Sequence, residues 1–210
     1  RNVKDTTSTG NIVVQKSTDI VFTVPVSVLF YDGGGGLDFY PEADRGKGLF
    51  PDGAEDVNPD NNGTVSAIAS RSSGSAPWLE YPVDNSLDIT VAPPSDSGQN
   101  NYRFIMYGTI VPPTTGTYWF FTASDDNSQF YLSTDDDPAN SQMLTHQPQW
   151  VGVRAWTEAG GGTDPIIKSG PIDLVAGQEY YFELIGQEGG GGDHFATGWS
   201  MEDGDTPTDG

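Results

Sequence analysis

Short apolar runs separated by turn-forming residues make up most of the chain, and helical periodicity is nearly absent. Within the runs, apolar residues either alternate with polar ones or follow one another directly, which is typical of β-strands. Clusters of Gly, Pro, Asn and Asp between the runs indicate turns. We predict strands at 11–15, 19–31, 78–81, 87–92, 102–111, 116–124, 128–133, 171–175, 178–187 and 194–201. This many short strands predicts an antiparallel sandwich or barrel.

Proline and long loops interrupt this pattern. Pro25 falls within the long second run and predicts a bend or a sheet edge, because proline cannot donate a ladder hydrogen bond. The segments 32–38, 41–63, 92–101 and 156–165 are turn-rich and carry many acidic residues. Long loops of this kind in a compact domain are usually functional or disordered.

The charge of the chain narrows the choice of partners. Among 210 residues, 30 are acidic and 9 are basic, which gives a net charge of −21. Such a chain lacks the basic face that binds phosphates, so no nucleic acid and no anionic membrane surface is expected as a partner. Acidic groups at this density repel one another unless cations are bound, and Ca²⁺ prefers oxygen ligands. A surface adapted for solubility in salty water explains the composition equally well.

The absence of cysteine excludes several kinds of site. A chain with no Cys has no disulfide scaffold, iron–sulfur cluster or cysteine-type zinc site, although an extracellular location stays compatible with it. No apolar run is long enough to span a bilayer and no signal peptide is present, so no membrane insertion is expected. Because the chain begins at Arg1, we expect a module of a larger multi-domain protein, monomeric in isolation.

Two adjacent aspartates, Asp125 and Asp126, follow the strongly apolar run "TYWFF". Neighbouring residues of a strand point to opposite faces, so on a regular strand one of these carboxylates would face the core. An unpaired carboxylate is costly there. Either the strand ends at the pair, or both carboxylates bind a ligand.

A glycine-rich segment, "EGGGGDH" at 188–194, joins two predicted strands. Glycine can adopt backbone angles closed to other residues, and four in a row leave their carbonyl oxygens uncovered by side chains. Asp193 adds a carboxylate at the end of the run. Carbonyl and carboxylate oxygens together are the ligands of Ca²⁺ in proteins.

Two stretches of the second half carry a family resemblance. The segments "GTYWFFTASDDNSQFYLS" and "LVAGQEYYFELIGQEGGGGDHFATGWSMEDG" resemble the PA14 (PA-fourteen) domain family, the β-sandwich module of anthrax protective antigen. The family recurs in flocculins and in bacterial RTX-type adhesins. The resemblance is strong over 102–204 and weak over 1–101. It implies an all-β fold, an antiparallel β-sandwich with long acidic loops over 1–204, followed by the start of a linker at 205–210.

The resemblance also implies a metal site. In lectin members of the family, a pair of aspartates joined by a cis peptide bond binds one Ca²⁺, a role that falls here on Asp125 and Asp126. The glycine-rich loop of adhesin members implies further ligands in the carboxylate of Asp193 and the carbonyls of Gly190 and Gly191. Calcium takes 6–8 oxygens, so positions left open would accept neighbouring hydroxyls of a sugar.

The function implied is that of a calcium-dependent, lectin-like module of a bacterial adhesin. It would bind glycans or simple hexoses on cell surfaces, from an extracellular location and without catalysis. A calcium-stiffened spacer or a protein-binding module of an adhesin is one alternative, and a non-catalytic module attached to a glycosidase is another. No G-x-S-x-G or H-E-x-x-H motif is present, and the chain has 2 histidines, so nothing favours an enzyme.

Four further residues are candidates with alternatives of their own. His194 follows Asp193 and could donate a hydrogen bond to a sugar hydroxyl, or it is an ordinary first residue of a strand. Asp56, Asn58 and Asp60 alternate like the first ligands of an EF-hand calcium loop. However, the next glycine comes too late and no helices flank the segment, so a plain turn explains it as well.

Several tryptophans lie beside predicted loops. Trp78, Trp150 and Trp156 are in this position, and one of them could stack on a sugar ring. Trp199 falls within a predicted strand and is assigned to the core, because aromatic residues of strands usually pack inside. The sequence does not choose among the three loop tryptophans.

Overall fold

Almost every described element of the protein is a β-strand. The computed structural model describes residues 3–6, 11–14, 21–33, 35–52, 55–57, 66–69, 78–81 and 100–201. The strands are β1 (Val3–Thr6), β2 (Asn11–Val14), β3 (Val21–Asp32), β4 (Glu55–Val57), β5 (Ser66–Ala69), β6 (Trp78–Tyr81), β7 (Tyr102–Val111), β8 (Gly116–Asp125), β9 (Asn127–Leu132), β10 (Gln142–Gln147), β11 (Ile172–Leu174), β12 (Tyr180–Glu188) and β13 (His194–Ser200). Two short 3₁₀-helices span Leu37–Phe39 and Pro138–Asn140. None of the helices in these ranges is long and apolar enough to cross a membrane.

The strands form two antiparallel sheets, which confirms the predicted β-sandwich. The larger sheet has the order β1-β2-β3-β7-β12-β9-β10, with β4 also paired to β3, and the smaller sheet has the order β11-β8-β13-β6-β5. Strands of the first hundred residues complete both sheets, since β3 pairs with β7 and β6 pairs with β13.

The main core lies between the two sheets, because alternate residues of each strand point toward the opposite sheet. In β12, Phe182 and Leu184 face this core, whereas Ile185 faces the other side of the larger sheet. The fully buried aromatic residues of the core are Phe30, Tyr102, Phe104, Tyr118, Phe120, Phe182 and Phe195.

Loops cover the outer faces of both sheets. The segment 37–50 packs Leu37 and Tyr40 against the outer face of the larger sheet. The segment 151–156 packs Val151 and Trp156 against the outer face of the smaller sheet. Parts of the predicted loops 32–38 and 41–63 therefore form a packed layer of the fold.

A buried carboxylate fastens the first of these layers. Glu183 of β12 accepts hydrogen bonds from the Gly46 and Gly48 N–H groups at 2.6 and 2.8 Å. It also accepts hydrogen bonds from the hydroxyls of Tyr40 at 3.1 Å and Tyr181 at 2.7 Å. A buried carboxylate with four donors is satisfied, so Glu183 has a structural role.

The strand predictions agree with most of the described elements. Nine of the predicted runs contain a strand, and the run at 87–92 lies outside the described residues. The pattern missed the strands at 3–6, 55–57, 66–69 and 142–147. The last of these lies at a sheet edge and consists mostly of polar residues, QMLTHQ, so it lacks the apolar signal of a core strand. Pro25 falls where the pairing of β3 with β7 breaks, between Thr23 and Ser27.

Candidate metal centre

The aspartate pair lies where the chain crosses from one sheet to the other. Asp125 ends β8 of the smaller sheet, and β9 of the larger sheet begins at Asn127. The Asp125–Asp126 peptide bond is cis, as the family resemblance implied. The Asp126 N–H donates a hydrogen bond to the Gln187 carbonyl at 3.2 Å. The pair thus joins the two sheets at one end of the sandwich, and both side chains are half-buried.

The glycine-rich loop packs directly against this pair. The Gly189 N–H donates a hydrogen bond to Asp126 Oδ2 at 2.8 Å. A Cβ atom placed on Gly192 would lie 3.1 Å from Asp125 Oδ2, so this backbone also approaches the pair closely. The two segments that the sequence marked separately therefore meet in space.

Glu188 adds a carboxylate that the sequence pattern did not single out. One oxygen from each of Asp125, Asp126 and Glu188 lies within 4.8 Å of the other two, a spacing that could hold a metal ion. The signal for Glu188 was present in the sequence. It has the same parity along β12 as the core residues Phe182 and Leu184, and it directly precedes the glycines.

Glu188 and Asp193 are fully buried, each at 0% exposure. Within the described part of the chain, none of their four carboxylate oxygens has a hydrogen-bond partner. The Gly190 backbone approaches Glu188, and Glu188 approaches Asp193, but neither contact reaches the geometry of a hydrogen bond. Buried carboxylates without partners are costly, and a bound cation would remove the cost. These orphaned oxygens fit a hard divalent ion.

Burial, together with repulsion between neighbouring carboxylates, disfavours the ionised forms of Asp125, Glu188 and Asp193. Burial, with repulsion from Asp126 as the second cause, raises the pKa of Asp125 to about 6. Burial, followed by repulsion from Asp125 and Asp126, raises the pKa of Asp193 to about 7. Burial, followed by repulsion from the other three carboxylates, raises the pKa of Glu188 to about 9. A cation among these groups would favour their ionised forms.

The predicted carbonyl ligands lie on the exposed part of the loop. Gly190 and Gly191 are exposed, and Gly191 has a φ of 126°, a conformation that side-chain-bearing residues rarely adopt. The Gly191 N–H donates a hydrogen bond to Asn100 Oδ1 at 3.1 Å. The contacts to the aspartate pair come from Gly189 and Gly192 instead. The role of the Gly190 and Gly191 carbonyls as ligands stays a prediction.

His194 is part of the strand framework. It is 5% exposed, begins β13 and pairs with Asp125 of β8. Burial and the nearby Arg154 lower the pKa of His194 to about 4, against the opposing effect of a hydrogen bond to the Gly152 backbone. Such a side chain is neutral at pH 7, and its burial favours the interpretation as an ordinary strand residue over a sugar contact.

The second calcium candidate is only partly within the described residues. Asp56 lies in β4, where it pairs with Leu29 of β3. Asn58 and Asp60 lie outside the described residues. A calcium loop at these three positions therefore stays a prediction.

Comparison with known sequences gives a family and a partial relative. The family model of the PA14 domain matches residues 81–210. The chain is 40% identical over 103 residues to mouse N-acetyl-beta-glucosaminyl-glycoprotein 4-beta-N-acetylgalactosaminyltransferase 1. This match covers 47% of the chain and 10% of the enzyme, so the chain spans about a tenth of the length of that curated relative.

Solved structures with a similar fold include an adhesin domain. A subtype-switched epithelial adhesin 9-to-1 A domain of Candida glabrata, solved with β-lactose, has a TM-score of 0.50 at 13% identity. The match covers 87% of this chain and 83% of that domain. The PA14 domain of the MpAFP antifreeze protein has a TM-score of 0.44 at 12% identity, with coverage of 93% and 90%. At 13% identity, the similarity to the adhesin domain shows a similar fold and nothing further.

Proposed function

This chain belongs to the PA14 domain family, and from that premise we propose that it binds carbohydrate through a calcium ion. The observation that carries the proposal is the acidic cluster at the end of the sandwich. Asp125, Asp126 and Glu188 converge within 4.8 Å, and the buried oxygens of Glu188 and Asp193 have no hydrogen-bond partner among the described residues. The ion would be held by these four carboxylates together with carbonyls of the glycine-rich loop.

The carboxylates of the cluster range from buried to half-buried toward the exposed glycine-rich loop, an arrangement that suits a lectin site. Glu188 and Asp193 are fully buried, whereas Asp125 and Asp126 are half-buried and the glycines 190–192 are exposed. An ion in this cluster would have protein oxygens beneath it and an open side toward solvent. Because calcium accepts 6–8 oxygens, its open positions can take two neighbouring hydroxyls of a sugar. The protein then binds the sugar without a chemical step.

Two relatives support the choice of carbohydrate as the ligand. The adhesin domain with a similar fold was solved with β-lactose, and the mouse relative acts on a glycoprotein. We place this module on an extracellular bacterial adhesin, where calcium is abundant and a glycan on another cell is within reach. The site belongs to the chain itself, so it does not depend on a catalytic domain elsewhere.

A calcium-stiffened spacer is the second candidate function. The cluster joins the β8–β9 crossover to the loop between β12 and β13, so an ion there would fasten the two sheets together. This observation favours a structural role in an adhesin stalk. Sugar binding is what separates the two functions.

A glycan array probed with calcium and again with a chelator tests the proposal. We expect signals that require calcium and that the variant Asp126→Asn loses. Asp136→Asn is the matched control, because Asp136 is an exposed carboxylate outside the cluster. Equal signals in calcium and chelator would contradict the metal-bridged mechanism. If Asp126→Asn loses thermal stability in calcium and the wild type binds no glycan, the spacer is the correct function.

A further inference from the structure

The glycine-rich loop runs between two neighbouring segments of the chain. It continues β12, whose Gln187 pairs with Asn127 of β9 at one edge and with Arg103 of β7 at the other. The aspartate pair directly precedes β9, and Asn100 lies just before β7. We call these two sides of the loop the β9 flank and the β7 flank. The aspartates thus lie on one flank, and Asn100 lies on the other.

Asn100 is a residue that the sequence pattern did not single out. The β7–β12 ladder ends at the pair of Tyr102 with Glu188, and the residue before it, Asn101, has a φ of 56°. Asparagine enters this left-handed conformation more readily than most residues. Just beyond this turn, Asn100 Oδ1 accepts a hydrogen bond from the Gly191 N–H at 3.1 Å. The β7 flank therefore holds the loop through a side chain where the backbone ladder has ended.

The direction of this hydrogen bond departs from the pattern of a strand. Backbone N–H groups of a regular strand alternate between its two edges, so those of residues two apart face the same edge. The Gly189 N–H faces the β9 flank, where it donates to Asp126 Oδ2 at 2.8 Å. On a continuing strand, the Gly191 N–H would face this flank as well. It faces Asn100 on the β7 flank instead, so the peptide between Gly190 and Gly191 is turned over.

The turned peptide directs a carbonyl toward the aspartate pair. In a planar trans peptide, the C=O of one residue and the N–H of the next point in opposite directions. The bond between Gly190 and Gly191 is trans, and its N–H is directed at Asn100. The Gly190 carbonyl therefore faces the β9 flank, where the aspartates lie. The φ of 126° at Gly191, a conformation that favours glycine, accompanies this turn of the backbone.

We propose that Asn100 is a positioning residue, which aims the Gly190 carbonyl at the ion by holding the Gly191 N–H on the opposite flank. This inference rests on the proposed function and deepens it, because it selects one of the two predicted carbonyls as the ligand. Calcium takes carbonyl oxygens alongside carboxylates. Groups that orient the ligands of a metal contribute to its affinity without touching it.

Removal of the Asn100 acceptor should therefore change the ligands of the ion. The Gly191 N–H loses its partner, and the glycines on both sides of the peptide permit it to rotate. The Gly190 carbonyl then leaves the ion, and a water molecule takes its position. The loss of one protein ligand weakens calcium binding, and the added water is a change that a purely structural role of Asn100 would not produce.

Terbium luminescence, together with a calcium titration, tests this inference. Tb³⁺ prefers oxygen ligands as Ca²⁺ does, and its luminescence lifetimes in H₂O and D₂O give the number of water molecules on the bound ion. We expect Asn100→Ala to hold about one more water than the wild type and to bind calcium about tenfold more weakly. Asn100→Asp keeps an acceptor oxygen at this position and should restore the wild-type water count. Gln142→Ala is the control, because Gln142 is an exposed amide that pairs with Leu132 at the far end of β9.

The results separate this inference from the proposed function. A wild-type protein that binds neither calcium nor terbium would overturn the proposed function, and this inference with it. Metal binding by the wild type with an equal water count in Asn100→Ala would overturn this inference alone. That holds even where Asn100→Ala binds calcium more weakly, because Asn100 would then stabilise the loop without directing a ligand. An additional water in Asn100→Ala that is absent from Asn100→Asp would support the inference.

Discussion

At the scale of single residues, the site depends on carboxylates placed where water is excluded. Glu188 and Asp193 are buried without hydrogen-bond partners in the described structure, whereas the equally buried Glu183 has four donors. The contrast shows that the fold can satisfy a buried carboxylate where it serves structure. This contrast supports our proposal that a cation completes the two orphaned groups.

Replacing Glu188 by glutamine should move stability and calcium affinity in opposite directions. Without calcium, Glu188→Gln removes a group that burial and three neighbouring carboxylates disfavour, so the melting temperature in chelator should rise. Calcium affinity should fall about tenfold, because affinity at such sites follows the number of charged ligands. Thermal unfolding in chelator and a calcium titration measure the two effects.

An exposed glutamate provides the control for this substitution. Glu158→Gln makes the same chemical change at a solvent-exposed position and should alter neither quantity. A Glu188→Gln protein that melts lower in chelator and binds calcium as tightly as the wild type would contradict a ligand role for Glu188.

At the scale of elements, the site is made by a strand crossover and a glycine-rich loop that pack together. The backbone of the loop approaches the aspartates more closely than a side chain would permit. A Cβ atom on Gly189 would lie 2.9 Å from Asp126 Oδ2, the oxygen to which the Gly189 N–H donates. A side chain at position 189 would therefore force the Asp126 carboxylate to move, and at Gly191 the positive φ favours glycine.

The variant Gly189→Ala should therefore weaken calcium binding by about tenfold or more, with the fold retained. The added methyl group displaces the Asp126 carboxylate or the loop, and a shift of either disturbs the ligand arrangement. Gly170→Ala is the control, since a Cβ atom there meets nothing within 4 Å. Calcium titration together with circular dichroism checks the outcome. Unaltered calcium affinity in Gly189→Ala would mean that the loop does not shape the site.

The sequence could predict the elements with strong apolar patterns and the residues with family motifs. The long strands β7, β8 and β12 and the Asp125–Asp126 pair are of this kind. The edge strand β10 escaped because polar residues predominate in its sequence, QMLTHQ, whether they are exposed or buried. Glu188 escaped because its burial depends on which face of β12 meets the other sheet, and that becomes certain only once the sheets are assembled. The contacts that hold the loop at 147–162 join distant segments, such as Arg154 to Glu80, and no local pattern encodes them.

At the scale of the whole molecule, a net charge of −21 makes stability depend on pH and on cations. Carboxylates in an unfolded chain have a pKa of about 4. Folding raises the pKa of Asp125, Asp193 and Glu188 to about 6, 7 and 9. Between about pH 4 and about pH 9, the calcium-free folded state therefore binds more protons than the unfolded state does. Its free energy of unfolding consequently falls as the pH rises through this range.

Calcium should therefore stabilise the protein more strongly at about pH 8 than at about pH 5. Calcium binds the ionised carboxylates, and at about pH 5 few of these groups are ionised. At about pH 8 more of them are ionised, and their mutual repulsion destabilises the calcium-free fold until the ion binds. Melting temperatures in calcium and in chelator at both pH values measure the effect, and an equal concentration of magnesium controls for screening of surface charge. A calcium effect that stays constant or shrinks as the pH rises would show that these carboxylates do not bind the ion.

Calorimetric titration of calcium into the wild type and Asp126→Asn tests most directly whether one ion joins the aspartate pair to the glycine-rich loop. We expect one calcium ion per chain in this cluster, with proton release at pH 7, and an affinity at least tenfold lower in Asp126→Asn while Asp136→Asn binds as the wild type does. Absence of binding at millimolar calcium, or equal affinity in the wild type and Asp126→Asn, would contradict the account.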